Sequence, residues 1–300
     1  MTLPSPQPIS VFAPAKVNLY LHVTGKRKDG YHTLDSLAVF CDIGDTITIA
    51  AHPHFEFIAQ GPYAKALPPA DQITTTASQN LCVRAAKALS EITGEALQLK
   101  ITLTKNLPVS SGLGAGSADA AATLYGLHRF WGRSEGAPLA PLLAYLGADV
   151  PACYRCEPVW MSGTGTDLTP APPLPELSIL LVNPLKPCAT RDVFLGYNGA
   201  PRGALLRPPF FENTNAFLSF LRAQHNDLTP AAIPHVPEIA NILTALEKTQ
   251  DCLLARMSGS GATCFALYTT QQQAQATARR ISADNPDWWT ATGWINRSER

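Results

Sequence analysis

The chain has 300 residues, 46% hydrophobic and 15% charged, which describes a globular protein long enough for two domains and excludes a disordered, charge-rich chain. Lysine plus arginine equals aspartate plus glutamate at 23 each, so no global basic field of the kind that holds nucleic acid is present. Nowhere do about 18 apolar residues run consecutively, and the opening MTLPSPQPIS lacks a basic segment followed by an apolar run, so a cytoplasmic location away from membranes is expected.

In chain order, residues 11–13 and 17–24 read as strands, with apolar residues alternating with Asn18, Tyr20 and His22. Lys16 lies between them, after Pro14. Residues 25–30 form a charged turn, and 31–40 read as the returning strand of a hairpin. Short strands follow at 45–51 and 55–59, then a loop through Pro62, Pro68 and Pro69. A helix is expected over 80–92 from the spacing of Leu81, Ala85, Ala88, Leu89 and Ile92.

A strand at 97–104 delivers the chain into LPVSSGLGAGSADAAA, residues 107–122. The glycines at 112, 114 and 116 lead into small helix formers, so the spacing predicts a loop turning into a helix over 114–130. Glycine permits positive φ and close backbone approach, and the free N–H groups of a first helical turn point at an anion. Ser110, Ser111 and Ser117 add hydroxyl donors. No lysine follows the last glycine, which excludes the GxxxxGK[ST] loop, and GLGAG does not continue as a dinucleotide fingerprint.

A helix over 139–146 ends at Gly147, and 147–151, GADVP, reads as a turn presenting Asp149. The proline-rich stretch 170–175 is the candidate linker, dividing the chain into 1–168 and 169–300. Beyond it come a strand at 179–182, helices at 191–197, 214–224 and 237–248, and strands at 253–257 and 263–268 joined by SGSG. A helix at 271–281 and a tryptophan-rich last strand follow, with Trp288, Trp289 and Trp294 as packing residues. Strands and helices mix without strict βαβ alternation, so the expected class is α+β. The seven cysteines are odd in number and scattered through apolar sequence, which suits buried thiols; Cys153-x-x-Cys156 lacks the four ligands of structural zinc.

Three separated segments, APAKVNLYL (13–21), PVSSGLGAGSADAA (108–121) and ARMSGSGATCFAL (255–267), occur in an order that resembles the GHMP kinases, named for galactokinase, homoserine, mevalonate and phosphomevalonate kinases. The resemblance implies a two-domain fold, a ribosomal-protein-like α/β N-terminal half and a ferredoxin-like C-terminal half, with the acceptor in the cleft between them. It also implies ATP as co-substrate, with Mg²⁺. GKRKDGYHTLDSL, GADVP and SGSGATCFAL resemble the branch that phosphorylates the 2-hydroxyl of a cytidine diphosphate derivative of methylerythritol. That small molecule is the expected partner of a monomer or weak homodimer. The alternatives are a mevalonate- or homoserine-type kinase, against which GKRKDGYHTLDSL argues, and a non-catalytic nucleotide-binding protein, against which the joint presence of Lys16 and Asp149 argues.

By the same resemblance ATP sits on Pro108, Val109, Ser110, Ser111, Gly112, Leu113, Gly114, Ala115, Gly116 and Ser117. The loop departs from its commonest form at Ser110, Ser111, Ala115 and Ala118, which leaves Ser117 as the candidate hydroxyl for Mg²⁺ and offers no clear acidic metal ligand. Asp149 is implied as the base that takes the hydroxyl proton, with Lys16 beside it meeting the γ-phosphate. Taken singly, the two would read instead as a turn aspartate capping a helix and a surface lysine; inside two matching motifs the catalytic reading prevails. Asn18, two residues beyond Lys16 on the same strand face, is placed on the acceptor's polyol. Tyr31 is implied as a stacking platform for cytosine and His32 as its hydrogen-bond partner. Thr190 and Phe194, on one helix face, supply the opposite wall, with Phe194 completing an aromatic sandwich; the flanking Arg191 and Asp192 depart from the family's forms. Gly259, Ser260 and Gly261 approach from the C-terminal half.

Overall fold

A computed structural model of the chain describes residues 7–68, 79–133, 139–203 and 205–295. Its frame is a long antiparallel hairpin, β1 (Ile9–Lys26) with β2 (His32–Ala51). The sequence divides each of these into two shorter strands, yet the chain runs through both breaks. Pro14 lies beside a register irregularity between Pro14 and Lys16, where an absent N–H disturbs the ladder least, so the strand bends instead of ending.

The second half of β2 pairs with β4 (Leu99–Thr104), which takes β3 (Glu56–Gln60) in parallel; the first half pairs with β5 (Val159–Ser162), which pairs with β6 (Asp167–Pro170). The boundary expected between 168 and 169 falls inside β6. A second antiparallel group runs β8 (Leu254–Met257), β9 (Cys264–Tyr268), β7 (Leu177–Asn183) and β10 (Trp289–Ile295), and Ile295 pairs with Cys41 of β2 to join the groups into one sheet. Pro69, expected in a loop, lies outside the described residues.

In the first half lie α1 (Leu81–Thr93), α2 (Ala115–Phe130), α3 (Leu139–Leu146) and α4 (Val150–Arg155). In the second lie α5 (Thr190–Gly196), α6 (Thr214–Arg222), α7 (Thr229–Ala232), α8 (Glu238–Glu247) and α9 (Gln271–Asp284). Helix α1 starts where Asn80 accepts from the N–H groups of Cys82 and Val83 and stops at Gly94, whose φ of 73° closes the last turn. The segment 147–151, read as a turn, carries the start of α4 instead. Pro151 falls in the first helical turn, where no N–H partner is lost. The short strands β5 and β6 were also illegible, since each offers only four residues of alternation.

Three apolar clusters fill the interior. The first lies between α1, α2 and the sheet of the N-terminal half. The second joins Val17, Leu19, Leu37 and Val39 of the hairpin to Ile179, Phe217, Phe265 and Leu267. The third places Leu21 and Val23 against Leu180, Ile239 and Met257. Strand β1 therefore contributes to all three cores, and the residues at its centre are fixed from both halves.

Candidate active site

The site is built where β1, the glycine loop, the start of α4 and the SGSG turn converge. On β1, Lys16 and Asn18 share one face of a regular stretch between two register irregularities, both less than 5% exposed, and the Lys16 ammonium donates to Asn18 Oδ1 at 3.2 Å. It also donates to Asp149 Oδ1 at 2.8 Å. Asp149 occupies the N-cap position of α4 but makes no capping hydrogen bond, and its side chain is 35% exposed. The carboxylate is therefore committed to Lys16 on one oxygen and open on the other side.

The glycine loop is held on both flanks. The Lys16 N–H donates to Leu113 O at 2.9 Å, and the Thr263 N–H donates to Ser111 O at 3.1 Å. Pro108, Leu113 and Ala115 are buried anchors, Val109 and Ser110 lie at the exposed rim, and Gly112, Gly116 and Ser117 line the cleft. Gly114 has a φ of 62°, and a Cβ built there would stand 3.1 Å from Lys16 Cε and 3.7 Å from Asp149 Oδ2. Gly112 faces the SGSG turn so closely that a Cβ would meet Gly261 O and Ser258 O at 2.6 Å each. Glycine is required at these two positions for both handedness and space.

Gly114→Val is accordingly expected to lower kcat/KM for ATP by about 10- to 100-fold, because a β-branched residue in left-handed backbone costs roughly 1–3 kcal/mol and presses on the Lys16 stem. Steady-state kinetics on a variant with wild-type circular dichroism checks this, and unchanged ATP kinetics would remove the loop from the site.

Ser258 ties three parts together: it accepts from the Asn18 N–H at 3.1 Å and donates to Gly112 O at 3.1 Å. Asn226, which sequence reading missed, donates its amide to Met257 O and Gly259 O at 2.8 Å each and so sets the SGSG turn. Ser260 Oγ lies 2.9 Å from Thr190 Oγ1. Phe194 stacks on the His32 ring, centroids 5.4 Å apart and planes 25° apart, with Tyr197 edge-on at 5.9 Å. Tyr31 stands at the rim with 69% of its surface exposed. Burial, and secondarily Lys26, hold His32 below its ordinary range, so its ring is neutral at pH 7 and offers one donor and one acceptor.

Behind the loop lies a buried ion cluster that sequence reading also missed. Lys105 donates to Asp45 and, at 2.9 Å, to Asp119 of α2. Asp45 Oδ1 accepts the N–H groups of Asn106, at 2.6 Å, and Leu107, at 2.9 Å, which begin the loop. Burial pushes the Lys105 ammonium down, but the Asp119 and Asp45 carboxylates outweigh it and hold the group above its ordinary value. Asp119 is pushed upward by burial, and its Oδ1 has no hydrogen-bond partner. The only legible signal was a lysine and an aspartate flanking the glycines.

Lys16, Asn18 and Asp149 open onto one cleft of about 1330 Å³, lined also by the glycines of the loop, by Asn80, Leu81 and Lys105 on the α1 side, and by Tyr31, His32, Thr190 and Phe194 on the other. A single small-molecule site occupies roughly 300–1,000 Å³, so the cleft has room for two ligands side by side. Residues 80–157 match the description "GHMP kinases N terminal domain" and residues 210–287 match "GHMP kinases C terminal". A protein of Paramagnetospirillum magneticum, called 4-diphosphocytidyl-2-C-methyl-D-erythritol kinase, is 46% identical over 94% of this chain and 96% of its own.

The chain belongs to the GHMP kinase family. A protein of the same description from Paracoccus denitrificans is 46% identical over 94% of this chain and 95% of its own. A crystal structure of 4-(cytidine 5'-diphospho)-2C-methyl-D-erythritol kinase superposes with a TM-score of 0.77 at 28% identity, covering 97% of this chain and 100% of that one. Homoserine kinase from Cytophaga hutchinsonii superposes at 0.67 with 19% identity, covering 98% and 96% respectively, a likeness of fold alone. This GHMP kinase thus has the two-domain α+β fold of ATP-dependent small-molecule kinases. Among the described residues, no helix is long and apolar enough to cross a membrane.

Proposed function

We propose that this kinase transfers the γ-phosphate of ATP to the 2-hydroxyl of 4-diphosphocytidyl-2-C-methyl-D-erythritol, a step of the non-mevalonate route to isoprenoids. The observation that carries the reading is the Lys16–Asp149 contact of 2.8 Å beneath Gly114, in a cleft with room for two ligands. The high identity to relatives of that description, over nearly the whole chain, supports the acceptor.

Phosphoryl transfer asks the protein to align the nucleophile and to neutralise charge on the moving group. The free side of Asp149 takes the proton of the acceptor hydroxyl as its oxygen bonds to the γ-phosphorus and the bond to the ADP oxygen breaks. Lys16 holds Asp149 in place and faces the transferring phosphoryl. Asn18, fixed by Lys16 and by donating to Ser36 Oγ at 2.8 Å, orients the polyol. The loop N–H groups and the start of α2 take the ATP phosphates, and the pocket beside Asn80, Leu81 and Lys105 takes the nucleoside. Tyr31, His32 and Phe194 bind the acceptor's cytosine, with Thr190 and Gly259 to Gly261 closing the wall.

Among the described residues no group of three or more histidine, cysteine, aspartate or glutamate side chains could hold a metal ion. Ser111, however, lines the cleft with a buried Oγ that has no hydrogen-bond partner, and Ser117 stands in the first turn of α2. These donors fit a Mg²⁺ ion that keeps phosphate oxygens and water as its main ligands. Such an ion would spread the charge of the β- and γ-phosphates.

An ADP-release assay with the cytidyl acceptor, mevalonate and homoserine tests the reading. Turnover of the cytidyl acceptor alone is expected. Preference for either of the others overturns the acceptor, and ATP binding without turnover of any acceptor indicates a non-catalytic protein. Tyr31→Ala is expected to weaken the acceptor by roughly 1–3 kcal/mol, the scale of a base on an aromatic platform. A rise in the KM of ATP instead would exchange the two pockets.

A further inference from the structure

We infer that Arg191 binds the diphosphate of the acceptor; the inference rests on the acceptor proposed above. Arg191 sits in the first turn of α5 and lines the cleft between Thr190, bonded to Ser260, and Phe194, stacked on His32. It therefore lines the cleft beside the wall assigned to the cytosine.

The argument is one of charge. Three lysine or arginine side chains line the cleft among the described residues: Lys16, Lys105 and Arg191. Lys16 is held by Asp149, and Lys105 by Asp45 and Asp119. In the turn between β1 and β2, Asp29 also lines the cleft, but it is paired with Arg27 at 2.8 Å. Arg191 is exposed and has no ion pair or hydrogen bond among the described residues, and the adjacent Asp192 does not pair with it. An acceptor with a cytosine at one end and a reacting hydroxyl at the other must lay its diphosphate along the wall between them. A guanidinium is the group whose planar fork matches two phosphate oxygens. Lys26 and Lys28 carry charge nearby in the chain but do not line the cleft.

The test compares inhibition by CDP with inhibition by cytidine, each against the acceptor at saturating ATP, in the wild type, Arg191→Ala and Arg191→Lys. The expected result is that Arg191→Ala reduces the preference for CDP over cytidine by about 3- to 10-fold, the range of a partly exposed charge-assisted contact. Inhibition by cytidine should stay within about twofold, Arg191→Lys should fall between, and the acceptor KM should lose part of its dependence on salt. A CDP preference unchanged in Arg191→Ala overturns the inference. So does an equal weakening of CDP and cytidine, which would mean that Arg191 shapes the base platform. A wild type that ignores the cytidyl acceptor removes the functional reading and this inference together, and that outcome is visible before any variant is made.

Discussion

Asp149→Asn is expected to lower kcat by about 10² to 10⁴, the usual cost of losing a general base, while the KM of ATP and the melting temperature change little. An amide is close to isosteric and still offers Lys16 an oxygen, but it cannot take the hydroxyl proton. A helix-capping role would give a different result, but Asp149 stands at the start of α4 with no side-chain capping hydrogen bond to lose. Lys16 also keeps its contact with Asn18. Three measurements on one preparation decide the matter: kcat, acceptor affinity and melting temperature. A variant retaining more than about a tenth of wild-type kcat lies outside the general-base range and would leave proton removal to the phosphate itself. A fall confined to acceptor affinity would make Asp149 a positioning residue.

Lys105→Met is expected to destabilise the fold by about 3–5 kcal/mol, because it leaves two buried carboxylates facing each other without their cation. Asp45 and Asp119 are both fully enclosed, and only Asp45 has backbone donors to replace the lost ammonium. The pH dependence has a definite sign. Asp119 is already pushed upward by burial, and without Lys105 it rises further, so the folded state binds more protons than the unfolded chain. Stability of the variant then increases as pH is lowered and falls as pH rises through the folded-state value. Urea unfolding at about pH 5.5 and about pH 8.5, roughly one and a half units either side of neutrality, should show the larger loss at the higher pH. Adding Asp119→Asn should restore part of it. A Lys105→Met protein with wild-type stability at both pH values would show that the two carboxylates do not need the Lys105 ammonium to stay in the fold.

The glycine loop was legible because its signals are local. Positive φ at Gly112 and Gly114 and a helix begun by Ala115 follow from residue types within a few positions of one another. The shared face of Lys16 and Asn18 was legible because it rests on strand alternation, and the register irregularities of β1 fall on either side of the pair. By contrast, the helical start at Val150 was hidden by Pro151, which reads as a break unless the first turn is already known. The stacking of His32 on Phe194 depends on how α5 is docked against the hairpin, which no local pattern encodes.

By itself, then, the sequence determined the glycine loop, the α+β class and the chemical types available: a lysine and an amide in one recognisable segment and an aspartate in another. Only the tertiary structure decided which of them meet. Lys16 and Asp149 are separated by 133 positions, Asn18 and Ser258 by 240, and Lys105 and Asp45 by 60. Those distances are closed by the apolar clusters that β1 shares with both halves. It also decided which charges are spent inside the protein and which, as at Arg191, are left for a ligand. The physical reason is that φ preference and alternation act over a few residues, whereas ion pairing and burial are set by how distant strands are registered around a common core.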